Sequence, residues 1–260
     1  MGEWVIVSEP VVYGLDAAPP VYAKRFYSFK INELIDLESW YLKKWFSNCK
    51  TWLDVVAKVI KEIKYPLDCF GRPTDYHYLQ CFRKYPAKCY RTYKIDADFW
   101  LKASETAFYK MGDCEDSSVL CGAGHDLLGY MYWIEFGIVK KRGQVLGGHA
   151  WEISVDDSKT WRLVESTLDK VPRKFPVVDP DSYVHKVGEL EYEAFIRFDS
   201  AFCEVRKDLV KYVNDGGDIV GEPEFHMCLN CYVTYRKATK KREKKKLKVI
   251  RESWREAGFV

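Results

Sequence analysis

Gly112-Asp113-Cys114-Glu115-Asp116-Ser117-Ser118 is the stretch on which the reading of this 260-residue chain turns. It sets one cysteine among acids and hydroxyls, after a glycine and before an apolar segment. Asp113 can cap a helix that starts at Cys114, with Glu115 and Asp116 in the first turn, where carboxylates are favoured. A thiol at that position meets the positive end of the helix dipole, which lowers its pKa. The neighbouring acids push the other way. The helix end alone is therefore a poor nucleophile, and a base is needed. Gly147-Gly148-His149-Ala150-Trp151 offers one.

Outward from that stretch, Asp96 to Lys110 reads as a helix, and the helix of Cys114 runs to about Leu128 despite Gly122 and Gly124. The pattern then changes. Tyr130–Lys140, Val145–Val155 and Thr160–Glu165 are short, aromatic and β-branched, with turn signals at Arg142-Gly143 and Asp156-Asp157-Ser158. The last two predict a hairpin. Upstream, Ile31 to Tyr65 is helical in period. Leu34, Leu37, Tyr41 and Trp45, then Trp52, Val56, Val59, Ile60 and Ile63, recur at helical spacings. Ser47-Asn48-Cys49 breaks the run and Pro66 ends it. Residues 66–93 read as loop, and residues 1–30 as an extended arm with a strand near Trp4–Val7. Downstream, 169–190 is an irregular connection, Glu193–Asp199 a strand, Phe202–Asn214 a helix, and His226 to Ala257 a long charged helix. Helices followed by an antiparallel sheet predict an α+β fold. The expected organisation is an arm over 1–30, a core over 31–222 and a basic helical extension over 223–260.

Apolar residues make up 47% of the chain, which points to a globular protein. No apolar run reaches spanning length and no signal-peptide pattern opens the chain, so the expectation is a soluble, cytoplasmic protein without a membrane span. Nine cysteines are many for that setting, and buried thiols are the expected state for most of them. High Tyr, Lys and Glu content fits a thermophile. Between Arg236 and Arg251 there are ten basic residues and one acid, while the remainder carries a net charge of −6. A solvated helix face, or a docking surface for an acidic partner or nucleic acid, would account for that run. Val249, Ile250, Trp254 and Phe259 could also pack one face of it onto the body.

A thiol hydrolase needs a thiolate, an imidazole to shuttle its proton, and a polar group to orient the imidazole. His149 lies thirty-five residues after Cys114, and Glu165 sixteen further on. Adjacent antiparallel strands would bring His149 and Glu165 within hydrogen-bonding reach. Gly112-Asp113-Cys114-Glu115-Asp116, Gly148-His149-Ala150-Trp151 and Trp161-Arg162-Leu163-Val164-Glu165-Ser166-Thr167 together resemble the transglutaminase-like superfamily. They are closest to its bacterial and archaeal cysteine peptidases, which have a papain-like fold. The resemblance covers roughly residues 60–170. It implies Cys114 as nucleophile, His149 as base and Glu165 as orienting acid, where that family usually has Asp. It also implies a protein or peptide substrate.

The backbone N–H of Cys114 would form half of an oxyanion hole. Gln80, Trp100, Gly148 and Trp151 are the substrate or oxyanion candidates. No cofactor is required by this chemistry. Some relatives in that family bind calcium through acids flanking the nucleophile, here Asp113 and Glu115. His226-x-Cys228-x-x-Cys231 has half the spacing of a zinc site. The expected activity is hydrolysis of peptide or isopeptide bonds. Transglutaminase-type acyl transfer and a non-catalytic interaction module built on the same fold are the alternatives.

Overall fold

Among the described residues, every paired strand runs antiparallel to its neighbour. The computed structural model describes residues 3–7, 11–15, 26–65, 100–209 and 245–260. The strands are β1 (Trp4–Ile6), β2 (Val11–Leu15), β3 (Phe26–Lys30), β4 (Tyr132–Lys141), β5 (Gln144–Val155), β6 (Trp161–Val164), β7 (Val184–Val187), β8 (Leu190–Phe198) and β9 (Cys203–Arg206). The main sheet is ordered β1-β9-β8-β4-β5-β6, with β7 also on β8, while β2 and β3 form a separate hairpin. The helices are α1 (Trp40–Phe46), α2 (Trp52–Glu62), α3 (Ala103–Tyr109), α4 (Cys114–Leu127) and α5 (245–256). Among the described residues no helix is long and apolar enough to cross a membrane.

Side chains alternate across a strand, so the sheet presents two apolar faces. Val164 joins a cluster with Leu42, Val55, Val59, Leu120 and Ile134, covered by α1, α2 and α4. Its neighbour Leu163 joins a second cluster with Trp151, Ile153 and Tyr192, covered by Ile250 and Trp254 of α5. The same alternation sends Glu152 towards α4 and His149 and Trp151 towards the α5 side. On β8 a register shift opposite Phe136 and Gly137 inserts an extra residue. Ile196 and Phe198 therefore face the first cluster, and Tyr192 and Ala194 the second. A Cβ on Gly137 would lie 1.9 Å from the Glu193 carbonyl oxygen, so only glycine fits there. Gly124 has a similar reason inside α4: a Cβ would meet the Phe46 ring at 2.5 Å.

The mixed α and antiparallel β composition agrees with the α+β expectation. The break after α1, the helix start at Cys114, the β5–β6 hairpin and the strand near Trp4 also match. Three expectations are corrected. Phe202–Asn214 is not a helix where described: Cys203–Arg206 is strand β9, followed by a single 3-10 turn at Lys207–Leu209. Phe202, Val205 and Leu209 have helical spacing, but pairing with β1 and β8 overrides it. The connection over 169–190 contains strand β7. The helix expected over Asp96–Lys110 is confined, where described, to Ala103–Tyr109. The loop reading of 66–93 and the part of the basic helix over 226–244 lie outside the described residues.

Candidate functional site

Cys114 is the first residue of α4 and Asp113 its N-cap. The Asp116 carboxylate accepts a hydrogen bond from the Asp113 N–H at 3.3 Å, and another from the Leu101 N–H at 2.7 Å. These bonds lock the first turn and dock it on the chain before α3. Cys114 is 6% exposed, and its Sγ donates to Glu115 Oε2 at 3.1 Å.

His149 and Glu165 are fully buried. His149 Nε2 lies 2.8 Å from Glu165 Oε2. The other carboxylate oxygen accepts from the Thr167 N–H at 3.1 Å and the Thr167 hydroxyl at 2.6 Å. The Tyr192 hydroxyl donates to Glu165 Oε2 at 3.0 Å and itself accepts from the Trp254 indole at 2.8 Å. Burial alone would raise the Glu165 carboxyl. The His149 charge and hydrogen bond, with the Thr167 donors, outweigh it and hold the group below the usual carboxylate value. His149 Nδ1 is buried and has no hydrogen-bond partner among the described residues.

Two serines tie the strand end to the helix. Ser166 follows Glu165, and its Oγ lies 2.9 Å from Ser117 Oγ and 3.2 Å from Ser118 Oγ. Ser117 in turn donates to the Asp113 carbonyl at 2.5 Å. The segment that holds the imidazole is thus fastened to the first turn of the helix that starts at Cys114. Helix α5 closes the other side. Lys246 donates to the Gly148 carbonyl at 2.7 Å, and Arg251 to the Thr167 carbonyl at 2.6 Å. Leu247, Ile250 and Trp254 are buried, so the described end of the basic run packs on the body rather than standing in solvent.

The remaining candidates divide. Gln80, Cys228 and Cys231 lie outside the described residues. Trp151 is fully buried and donates its indole N–H to Glu135 at 2.6 Å, a core position. Trp100 packs against Phe136 and Phe198, and its indole nitrogen has no acceptor among the described residues. The Gly148 carbonyl is taken by Lys246. Carboxylate oxygens of Asp113, Glu115 and Asp116 lie within 4.8 Å of one another, all on buried residues. Oxygen donors of that kind suit calcium, although its six to eight ligands need more than three carboxylates supply singly.

The sequence reading missed a second trio. Cys121, His125 and Glu152 present ligand atoms within 4.8 Å of one another, all fully buried. In composition they also match a thiol triad. Their chemistry differs: His125 Nδ1 is 2.5 Å from Glu152 and Nε2 is 3.1 Å from the Trp52 carbonyl oxygen. Burial first, then the Glu152 carboxylate, push the Cys121 thiol well above its ordinary pKa. A surface hollow of about 360 Å³ near Asp126, Tyr130 and Trp161 lies at the far end of α4. It is about 18 Å along the axis from Cys114, and its wall residue Tyr130 meets the His125 ring of the second trio.

No protein-family model and no curated protein matches the chain. A solved structure of Legionella pneumophila LapG (EGTA-treated) is similar over 68% of this chain and 84% of that one, at 14% identity and a TM-score of 0.34. So loose a likeness leaves the site to be read from its own geometry.

Proposed function

We propose that the protein is a papain-like thiol hydrolase that cleaves peptide or isopeptide amide bonds through Cys114, His149 and Glu165. One observation carries the reading: His149 has one ring nitrogen held by Glu165 and the other buried without a partner among the described residues. A base needs that division of labour, one nitrogen fixed and one available. The serine contacts from Ser166 to α4 support the same arrangement.

The steps follow from the residues. His149 packs with Trp151 and Tyr192 on the α5 side of β5, while Cys114 donates to Glu115. The first step therefore requires His149 Nδ1 to reach the thiol at the start of α4. It would then take that proton, and Glu165 would stabilise the imidazolium. The thiolate attacks the amide carbonyl carbon at the helix N-terminus. The developing oxyanion meets the backbone N–H of Cys114 and the positive end of α4. The Trp100 indole supplies a second donor. His149 returns its proton to the leaving amine, giving a thioester. It then deprotonates the water that hydrolyses the thioester, and the carboxylic acid leaves. An amine in place of water would give acyl transfer with the same residues. Asp113 and Glu115 would offer part of the oxygen set of a calcium ion, with the rest of its six to eight ligands to come from elsewhere.

The chain is tested on quenched-fluorescent peptide pools and unfolded protein, with new amino termini counted by mass spectrometry. Cleavage by the wild type and by Cys121→Ala, with none by Cys114→Ala, is expected. Equal cleavage by wild type and Cys114→Ala, or none by any, contradicts the proposal.

A further inference from the structure

Cys121 and His125 stand one turn apart on the same face of α4, and Glu152 reaches them from β5. The three offer a sulfur, a ring nitrogen and a carboxylate oxygen within 4.8 Å of one another, with no solvent exposure. The His125 ring is fixed on every side. It stacks on Trp52 at 5.5 Å between centroids and meets the edge of Tyr130. Its Nε2–H points to the Trp52 carbonyl at 3.1 Å, and Nδ1 shares a proton with Glu152 at 2.5 Å, the proton that a bound cation would displace. Metal-binding histidines have that arrangement, with the outer nitrogen donating to a backbone carbonyl. One oxygen of the buried carboxylate, Glu152 Oε2, has no hydrogen-bond partner among the described residues. A cation at the centre would satisfy it.

We propose that Cys121, His125 and Glu152 bind one zinc ion that fastens α4 to β5. The donor set selects the metal. A thiolate with an imidazole suits zinc and is a poor match for calcium or magnesium, which take oxygen ligands. Cysteine thiolate and glutamate carboxylate together balance the two charges of the ion, so the buried site is neutral. Three protein donors leave the fourth tetrahedral position for a water. Three protein ligands are the count of a catalytic rather than a structural zinc, but Trp52, Tyr130 and the first apolar cluster close the site to substrate, so the ion would act on the fold. It stands independently of the Cys114 chemistry, because its readouts are metal content and stability.

The untagged full chain, purified without chelator and dialysed against zinc, is expected to carry about one equivalent. Replacement by cobalt should give the visible bands of a tetrahedral site and a thiolate-to-cobalt charge-transfer band in the near ultraviolet. Cys121→Ser should lose the charge-transfer band, and Glu152→Gln, which removes a ligand, should weaken zinc affinity by more than the roughly 100-fold that loss of an outer-shell partner costs. The double variant Cys228→Ser/Cys231→Ser should keep both metal and band. In the unaltered chain, chelation should lower Tm and expose Cys121 to alkylation, which needs no variant to fold. Zinc absent from the wild type, or lost from the Cys228/Cys231 variant and kept by Cys121→Ser, overturns the proposal. So does a Cys121 alkylation rate indifferent to chelator.

Discussion

Cys114 and Cys121 sit seven residues apart on one face of α4, and each has a histidine and a glutamate assigned to it here. Position on the helix separates them first. Cys114 occupies the first turn, where backbone N–H groups have no intrahelical acceptors and the dipole favours a thiolate. Cys121 lies mid-helix, where those groups are used, and burial pushes its thiol well up, so that a bound cation would be needed to make it a thiolate. The imidazoles separate them again. His149 has one nitrogen held and one without a partner among the described residues, whereas both nitrogens of His125 are engaged. Under the two proposals, the same residue types would serve as a proton shuttle in one place and as a ligand set in the other.

The comparison breaks most visibly at the two thiols. Cys114→Ala should cut turnover by about four orders of magnitude or more, the size seen when a triad member is removed. Cys121→Ala should leave turnover per folded molecule within about threefold while lowering Tm, since Cys121 is a core residue and, under the zinc proposal, a ligand. Steady-state kinetics on the fraction that folds, set beside thermal melts, distinguishes the two. His149→Asn comes next, with an expected loss of about 10²–10⁴-fold in kcat for a missing general base.

Glu165→Gln should cost less, about 10–100-fold in kcat, since the amide still accepts from His149 but cannot stabilise its charge. It also has a pH signature. The Glu165 carboxyl is held below its ordinary value in the folded protein. Its contribution to stability is therefore complete above the unfolded value of about 4.3 and is lost as pH falls through the folded one. Acid titration of the variant should show a shallower fall in stability over that low-pH window than the wild type. The smallest effect is expected from Tyr192→Phe, which removes one hydroxyl donor to Glu165. A loss of about 1 kcal/mol in stability and a few-fold in kcat should follow, measured by urea titration and kinetics.

The helix start at Cys114 and the His149–Glu165 pair could be read from the chain. A capping acid before Cys114 and a turn between two β-branched runs are local signals, and pairing β5 with β6 puts His149 and Glu165 together. The second trio has a local part, Cys121 and His125 at helical spacing, that points nowhere without Glu152. Glu152 is three residues from His149 on β5, so the two face opposite sides of the sheet. Only the docking of α4 on that strand reveals which acid meets which histidine. Tyr192 was hidden for a related reason: the extra residue inserted in β8 decides which face it reaches. Strand β9 was misread because its apolar spacing is helical and its partners, β1 and β8, come from distant parts of the sequence. Helix α5 was legible in its apolar residues, since Ile250 and Trp254 are buried against the sheet. Its hydrogen bonds to the Gly148 and Thr167 carbonyls were not, because they depend on where that face lands.

The rate at which iodoacetamide alkylates each thiol of the native chain, followed by peptide mapping, tests the central claim most directly. Cys114 should react fastest of Cys49, Cys114, Cys121 and Cys203, and should stay reactive well below about pH 8.5, where an unperturbed thiol ionises. His149→Asn should remove that low-pH reactivity and leave the other three rates unchanged. Cys114 reacting no faster than Cys203, or more slowly than Cys121, would contradict the account.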